Sequence, residues 1–184
     1  MKILFIFTKK ENMIVLYILL GIIALVVLLM FVLPGSYIVT KSITINSDVS
    51  KCYDMVADLN NYRDWNPWSK MEPDAKKSIS GTPKTVGHRY DWEGKKIGIG
   101  SLTVKRVDTN KAVDLTLEFV KPFQSVADDN WIFEQLPNNQ VKITWSNSGA
   151  LPAGMARLMG PMITKNLDKQ FQQGLDSIKE ICEK

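Results

Sequence analysis

His88, Asp128, Asp129 and Asn147 are the residues whose types and positions could give this 184-residue chain chemistry. His88, the sole histidine, opens the run His88-Arg89-Tyr90-Asp91-Trp92-Glu93. Alternation puts His88, Tyr90 and Trp92 on one strand face and Arg89, Asp91 and Glu93 on the other. An inward aromatic face would carry in an imidazole that titrates near neutral pH. The plainer alternative is an edge histidine in solvent. Asp128-Asp129-Asn130 lies near the start of another strand. A regular strand turns one of the two acids inward. A carboxyl group in apolar surroundings has a raised pKa and can serve as a general acid or base. A bulge or strand-end pair in water is the alternative. Asn147 follows Trp145 on an inward set and suits either a ligand's polar head or the capping of a strand end.

No other chemistry announces itself. No His/carboxylate pair has useful spacing, no Ser-centred nucleophile elbow occurs, and no metal motif is present. Nothing calls for a cofactor. Cys52 and Cys182 fit neither a metal motif nor a disulfide framework, so Cys52, inside a helical pattern, reads as a buried thiol. The net charge is +4, part of it from Lys2, Lys9 and Lys10. Beyond pairs such as Lys76-Lys77 and Lys95-Lys96 there is no basic cluster, which argues against nucleic acid. There is no repeat, no low-complexity stretch and no N-x-S/T site.

The elements that must position these residues follow in a clear order. Tyr37 to Ile45 is β-branched and alternating, a first strand. Asn46, Ser47 and Asp48 then cap a short helix in which Val49, Tyr53 and Val56 share a face. A second short turn of helix covers Asn60 to Trp65, closed by Asn66-Pro67-Trp68. Strand candidates follow at Ala75 to Ser80, Gly87 to Glu93, Ile97 to Val107, Ala112 to Val120, Ser125 to Leu136 and Val141 to Asn147. Turn signals such as Gly81-Thr82-Pro83, Glu93-Gly94-Lys95, Asp108-Thr109-Asn110 and Pro137-Asn138-Asn139 separate them, spacings that suit antiparallel hairpins. Ala153 to Lys184 is predicted as a long helix, with Gly160-Pro161 marking a kink or a short preliminary helix. This is an α+β layout.

Strand faces locate the core. Val113, Leu115, Leu117 and Phe119 alternate with polar residues, as do Val141, Ile143 and Trp145, so the sheet has one wet face. Met155, Leu158, Met159, Met162, Ile163, Leu167, Phe171, Leu175 and Ile178 follow helical spacing and supply its cover. A curved sheet over one long helix leaves an apolar gap where they diverge, and Met155, Met159 and Met162 would line it or simply fill core. Trp65 and Trp68 are expected to pack the helix pair onto the sheet, with contact to a ligand or a bilayer as the alternative. Leu151-Pro152-Ala153-Gly154 reads as a flexible gate before the long helix.

With these residues in view the chain resembles the START-like, Bet v 1-like superfamily, also labelled SRPBCC or polyketide cyclase-like. The resemblance is carried by Ser42-Ile43-Thr44-Ile45 before a capped helix, by Tyr62-Arg63-Asp64-Trp65-Asn66-Pro67-Trp68, and by the terminal Phe171, Leu175 and Ile178-Lys179. It covers essentially the whole chain. It implies a helix-grip fold, a curved antiparallel sheet around a long C-terminal helix with two short helices after the first strand. It also implies a deep cavity for a lipid-like or polycyclic ligand, and no shared catalytic set. The expected lining is Tyr90, Trp92, Leu115, Leu117, Phe119, Ile143, Trp145 and Asn147 from the sheet, with Met155, Met159, Met162, Ile163 and Leu167 from the helix.

Residues 13 to 33 carry no charge and, as a helix, span about 30 Å, the thickness of a bilayer core. Phe31-Val32-Leu33-Pro34-Gly35-Ser36 offers no small-x-small cleavage site, which disfavours a signal peptide. A soluble helix would need a polar face, and this one has none; a buried core helix of such uniformity is disfavoured further. Either Met1 or Met13 can be the first residue, and the anchor survives both choices. The run through Leu33-Pro34 into Tyr37 also resembles bacterial membrane-anchored members. The expected division is a tail at 1–12, a transmembrane helix at 13–33 and a helix-grip domain at 37–184. Lys2, Lys9 and Lys10 precede the span and Lys41 is the first cation after it. The positive-inside rule therefore predicts a single-pass inner-membrane protein with an extracytoplasmic domain.

The function expected is a membrane-tethered module that binds a hydrophobic or lipid-like small molecule. The alternatives are a cyclase- or hydrolase-like enzyme using a cavity carboxylate or His88, and an envelope protein-interaction domain.

Overall fold

The computed structural model describes residues 9–184, with side chains described from Met13 onward. The predicted tail, with Lys2, Lys9, Lys10 and Glu11, lies outside the described side chains.

Helix α1 (Lys9–Val32) contains a 20-residue stretch, Met13–Val32, long and apolar enough to cross a membrane. Its apolar side chains meet no packed neighbour except near its C-terminal end, where it touches the last helix. Strand β1 (Ser36–Ile45) follows directly. Helix α2 (Val49–Ala57) starts where Asp48 accepts the Ser50 N–H at 2.7 Å. The expected second helical turn is two pieces, α3 (Tyr62–Trp65) and α4 (Pro67–Met71). Asn66 divides them: its Oδ1 accepts the Trp68 N–H at 2.7 Å, and Pro67 occupies the first helical position, where no N–H is needed.

Six further strands complete the sheet: β2 (Lys76–Ser80), β3 (Arg89–Glu93), β4 (Ile99–Asp108), β5 (Ala112–Lys121), β6 (Ser125–Leu136) and β7 (Gln140–Ala150). Their spatial order is β1-β7-β6-β5-β4-β3-β2, every neighbour antiparallel. Strands β3 and β4 start later than their apolar patterns suggest. Gly87 (φ +87°) and Gly98 (φ +74°) hold left-handed backbone in the preceding turns. Asn110, Asn138 and Asn139 take positive φ in the two tight hairpins, as turn chemistry requires. Register shifts between Ile99 and Gly100 and between Val104 and Arg106 bend β4.

Helix α5 (Met155–Cys182) is one helix of 28 residues with Pro161 inside it, not a short helix followed by a long one. It lies across the concave face of the sheet, held by Phe171, Leu175 and Ile178, each at most 1 % exposed. A Cβ added at Gly174 would stand 3.0 Å from the Trp145 ring, so glycine is what allows this approach. Below it the aromatic rings form a stack: Trp145 lies against Phe171 at 3.7 Å between centroids and against Trp131 at 4.3 Å. Trp65 meets both indoles edge-on, and its Nε1 donates to the Met55 carbonyl at 2.7 Å. Each such pair contributes about 0.5–1.5 kcal/mol beyond burial. This stack and helix α2 fill one half of the space under α5. The other half stays open.

Candidate functional site

The open half is a cavity of about 650 Å³ between the sheet, helices α3 and α4, and the first half of α5. Tyr90, Trp92, Leu102, Leu117 and Phe119 form its sheet wall, Met159, Ile163, Leu167 and Phe171 its helical wall. Tyr62 and Trp68 close one side, and Trp145 lies at the boundary with the filled core. The rim is made by the β5–β6 turn at Pro122, Phe123 and Gln124 and by Leu151, Pro152 and Met155.

Most of the residues predicted to line the space do so: Tyr90, Trp92, Leu117, Phe119, Trp145, Asn147, Met155, Met159, Ile163 and Leu167. Three do not. Leu115 and Ile143, 1 % and 0 % exposed, lie farther along the same strand face, where α2 packs on β5, β6 and β7 and leaves no gap. Met162 is 52 % exposed and outside the lining, because Met159 and Ile163 carry the inward line of the helix and Met162 falls to its side. Trp65 packs the short helices onto the sheet, whereas Trp68 is a wall of the cavity.

The polar candidates separate cleanly. His88 is fully buried with Tyr90 and Trp92 but does not reach the cavity. Its Nε2 accepts the Leu59 N–H at 3.0 Å and its Nδ1 donates to the Ser80 carbonyl at 3.0 Å. In this network Nδ1 is the donating ring nitrogen and Nε2 the accepting one. The imidazole is therefore neither an edge residue nor a cavity acid; it ties the α2–α3 connection to the β2 strand. Asp128 points to the outer sheet face, 3.5 Å from Lys105 Nζ. Asp129 points inward and lines the cavity.

Asp129 is the chemical centre of the cavity wall. Its Oδ1 accepts the Trp145 indole N–H at 2.7 Å and the Asn147 amide at 3.2 Å, and its Oδ2 accepts the Trp131 indole at 3.0 Å. Burial raises its pKa from 3.8 to about 6 against the opposing pull of these three donors. Asn147 is not a strand end, since β7 continues to Ala150; its Oδ1 accepts the Tyr37 hydroxyl at 2.9 Å. Burial first, then the nearby Asp129 charge, raises the Tyr37 and Tyr62 phenols above their ordinary value. The pattern identified one of two acids; Trp131 and Phe133, two and four residues on, carry the parity that selects Asp129. Tyr37, Tyr62 and the rim turn carried no such signal, because their place at the cavity depends on how distant strands pair.

The rim is bonded to the end of α1. The Gly154 N–H donates to the Met30 carbonyl at 3.1 Å, and the Leu151 N–H to the Gly35 carbonyl at 2.7 Å. Arg157 joins the two segments, Nη1 donating to the Phe31 carbonyl and Nε to the Leu151 carbonyl. Of the acceptors, Met30 and Phe31 lie in the last turn of α1, where carbonyls have no partner within the helix. Among the described residues no group of His, Cys, Asp and Glu is placed to hold a metal ion.

No protein-family model matches the chain, and no curated protein matches it. Solved structures do. MLL2253 from Mesorhizobium loti is 14 % identical with a TM-score of 0.60, covering 78 % of this chain and 95 % of its own. Ara h 8.0201 is 14 % identical with a TM-score of 0.58, covering 80 % of this chain and 98 % of its own. The fold is a Bet v 1-like helix grip. DynU16, from the dynemicin biosynthetic locus, shares it at 10 % identity and a TM-score of 0.54, over 78 % of this chain and 46 % of DynU16. At these identities the likeness is one of fold.

Proposed function

We propose that this chain is a membrane-tethered module that holds a hydrophobic or lipid-like small molecule between its sheet and α5. The observation that carries the reading is the cavity itself, about 650 Å³ and walled mainly by aromatic and aliphatic side chains. A pocket of that size and lining suits a small apolar ligand selected by shape. Its rim adjoins the end of α1, where Leu151, Gly154 and Arg157 bond the last carbonyls before β1. With α1 in a bilayer, a ligand leaving the lipid meets the rim first. Phe123, 73 % exposed on the rim turn, suits that interface.

The test is native mass spectrometry of the full chain released from detergent, followed by extraction and lipidomics of what is bound. A defined apolar species at near-stoichiometric occupancy is the expected result. An empty protein that takes up neither lipids nor polycyclic probes would sink the reading and favour a protein-interaction role. Asp129 favours a second reading, a cyclase- or hydrolase-like enzyme, because a buried carboxyl with a raised pKa can move a proton at neutral pH. Turnover of an apolar substrate that disappears in Asp129→Asn, with affinity retained, would select it.

A further inference from the structure

Asp129 is an expensive choice for its position. It is 5 % exposed and forms none of the ion pairs found among the described residues. A buried carboxylate without a cation is costly, and a well-packed apolar residue in its place is often neutral or better. Three donors reach it, two on Oδ1 and one on Oδ2, whereas a carboxylate can accept about four hydrogen bonds. Next to it the Tyr37 hydroxyl spends its proton on Asn147 and keeps only oxygen lone pairs to offer. Asp129 and Tyr37 therefore present acceptors to the cavity, set among apolar rings in a lining that holds no Lys or Arg.

Resting on the cavity reading above, we propose that Asp129, Asn147 and Tyr37 form a head-group site for an amphiphile whose polar end donates a hydrogen bond, a hydroxyl or a primary amine. The apolar tail occupies the space between Leu117, Phe119, Met159 and Ile163. A donor fills the remaining acceptor position on Asp129, and an amine also supplies the missing cation. A carboxylate head meets Asp129 as a like charge and is rejected.

The experiment places the full chain, stripped of lipid, in phosphatidylcholine nanodiscs and displaces an apolar fluorescent dye with four probes of one chain length: decane, decanol, decylamine and decanoate. Empty nanodiscs correct for partitioning. Decanol and decylamine should bind about tenfold or more tighter than decane, as a charge-assisted hydrogen bond in a buried site allows, and decanoate should bind weaker than decanol. Asp129→Asn should cut the preference for decylamine over decane by about tenfold, both read on the same variant, and Tyr37→Phe should weaken decanol a few-fold. If Asp129→Asn does not fold, the order of the four probes on the unmodified chain decides. Decane bound with no preference among heads, or decanoate preferred, overturns the head-group site and leaves the cavity reading standing. Failure of all four probes, decane included, overturns both.

Discussion

The buried carboxyl makes the stability of this domain depend on pH in an unusual direction. Asp129 titrates near 3.8 in an unfolded chain and at about 6 in the folded one, the shift caused by burial. The gap of about two pH units is worth roughly 3 kcal/mol at 1.4 kcal/mol per unit. The folded state holds the proton more tightly than the unfolded state. The contribution is therefore fully present below pH 4 and is lost as pH rises through about 6. About 2 kcal/mol of it falls between pH 4.5 and 7.5. Asp48 and Glu72, lowered mainly by hydrogen bonds to Ser50 and to the Lys95 and Lys96 amides, act in the opposite sense at acid pH. Those groups are shared with an Asp129→Asn variant and cancel in a comparison. The variant also exchanges one acceptor oxygen for an NH₂ facing the Trp131 or Trp145 indole, which lowers its stability by about 1–3 kcal/mol at every pH. The slope, rather than the level, is diagnostic. Urea unfolding of the lipid-free chain in neutral detergent reads it through tryptophan emission, because all five tryptophans lie beyond α1. The unmodified chain should lose about 2 kcal/mol relative to the variant from pH 4.5 to 7.5. Parallel curves, or a gain for the unmodified chain as pH rises, would show that the three donors outweigh burial and would refute the argument.

His88→Ala removes two hydrogen bonds and strands the buried Leu59 N–H, a loss of about 3 kcal/mol in denaturant unfolding. The same variant, in conditions where it stays folded, should bind apolar probes as the unmodified chain does, and a selective loss of binding would return His88 to the site. Leu117→Trp adds a ring to the middle of the cavity wall; dye affinity should fall about tenfold or more while unfolding shifts by only about 1–3 kcal/mol. Unchanged dye affinity would place the ligand elsewhere. Arg157→Ala should speed protease cleavage at residues 33–36 and 151–154 without moving the tryptophan-detected unfolding midpoint, since Arg157 joins α1 to the rim and not to the core. Equal cleavage rates in a digestion time course would count against that role.

Much of this architecture was legible in the residues because it rests on local periodicity. Val113 to Phe119 and Val141 to Trp145 announced their buried face, and the asparagine turns placed the hairpins. Alternation reports a face and not a depth. It put Leu115 and Leu117 on one side of β5, and only the packing of α2 distinguishes the filled end from the open one. Helical spacing likewise gave a stripe broader than the line that meets the sheet, and Met162 fell outside it. For His88 the strand pattern offers only solvent or cavity. A third outcome, a buried imidazole whose two nitrogens bond the Leu59 N–H and the Ser80 carbonyl, with Asp58 3.5 Å from Nε2, has no local signature.

The way β1 follows α1 has a mechanical consequence. A pull on α1 reaches the sheet at Ser36, the first residue of β1 and the partner of Ala150. From there ten successive pairs run to Ile45 and Val141. Antiparallel hydrogen bonds stand perpendicular to the strands. Force directed along β1 therefore loads the whole ladder in shear, where an attachment at right angles would peel it open one pair at a time.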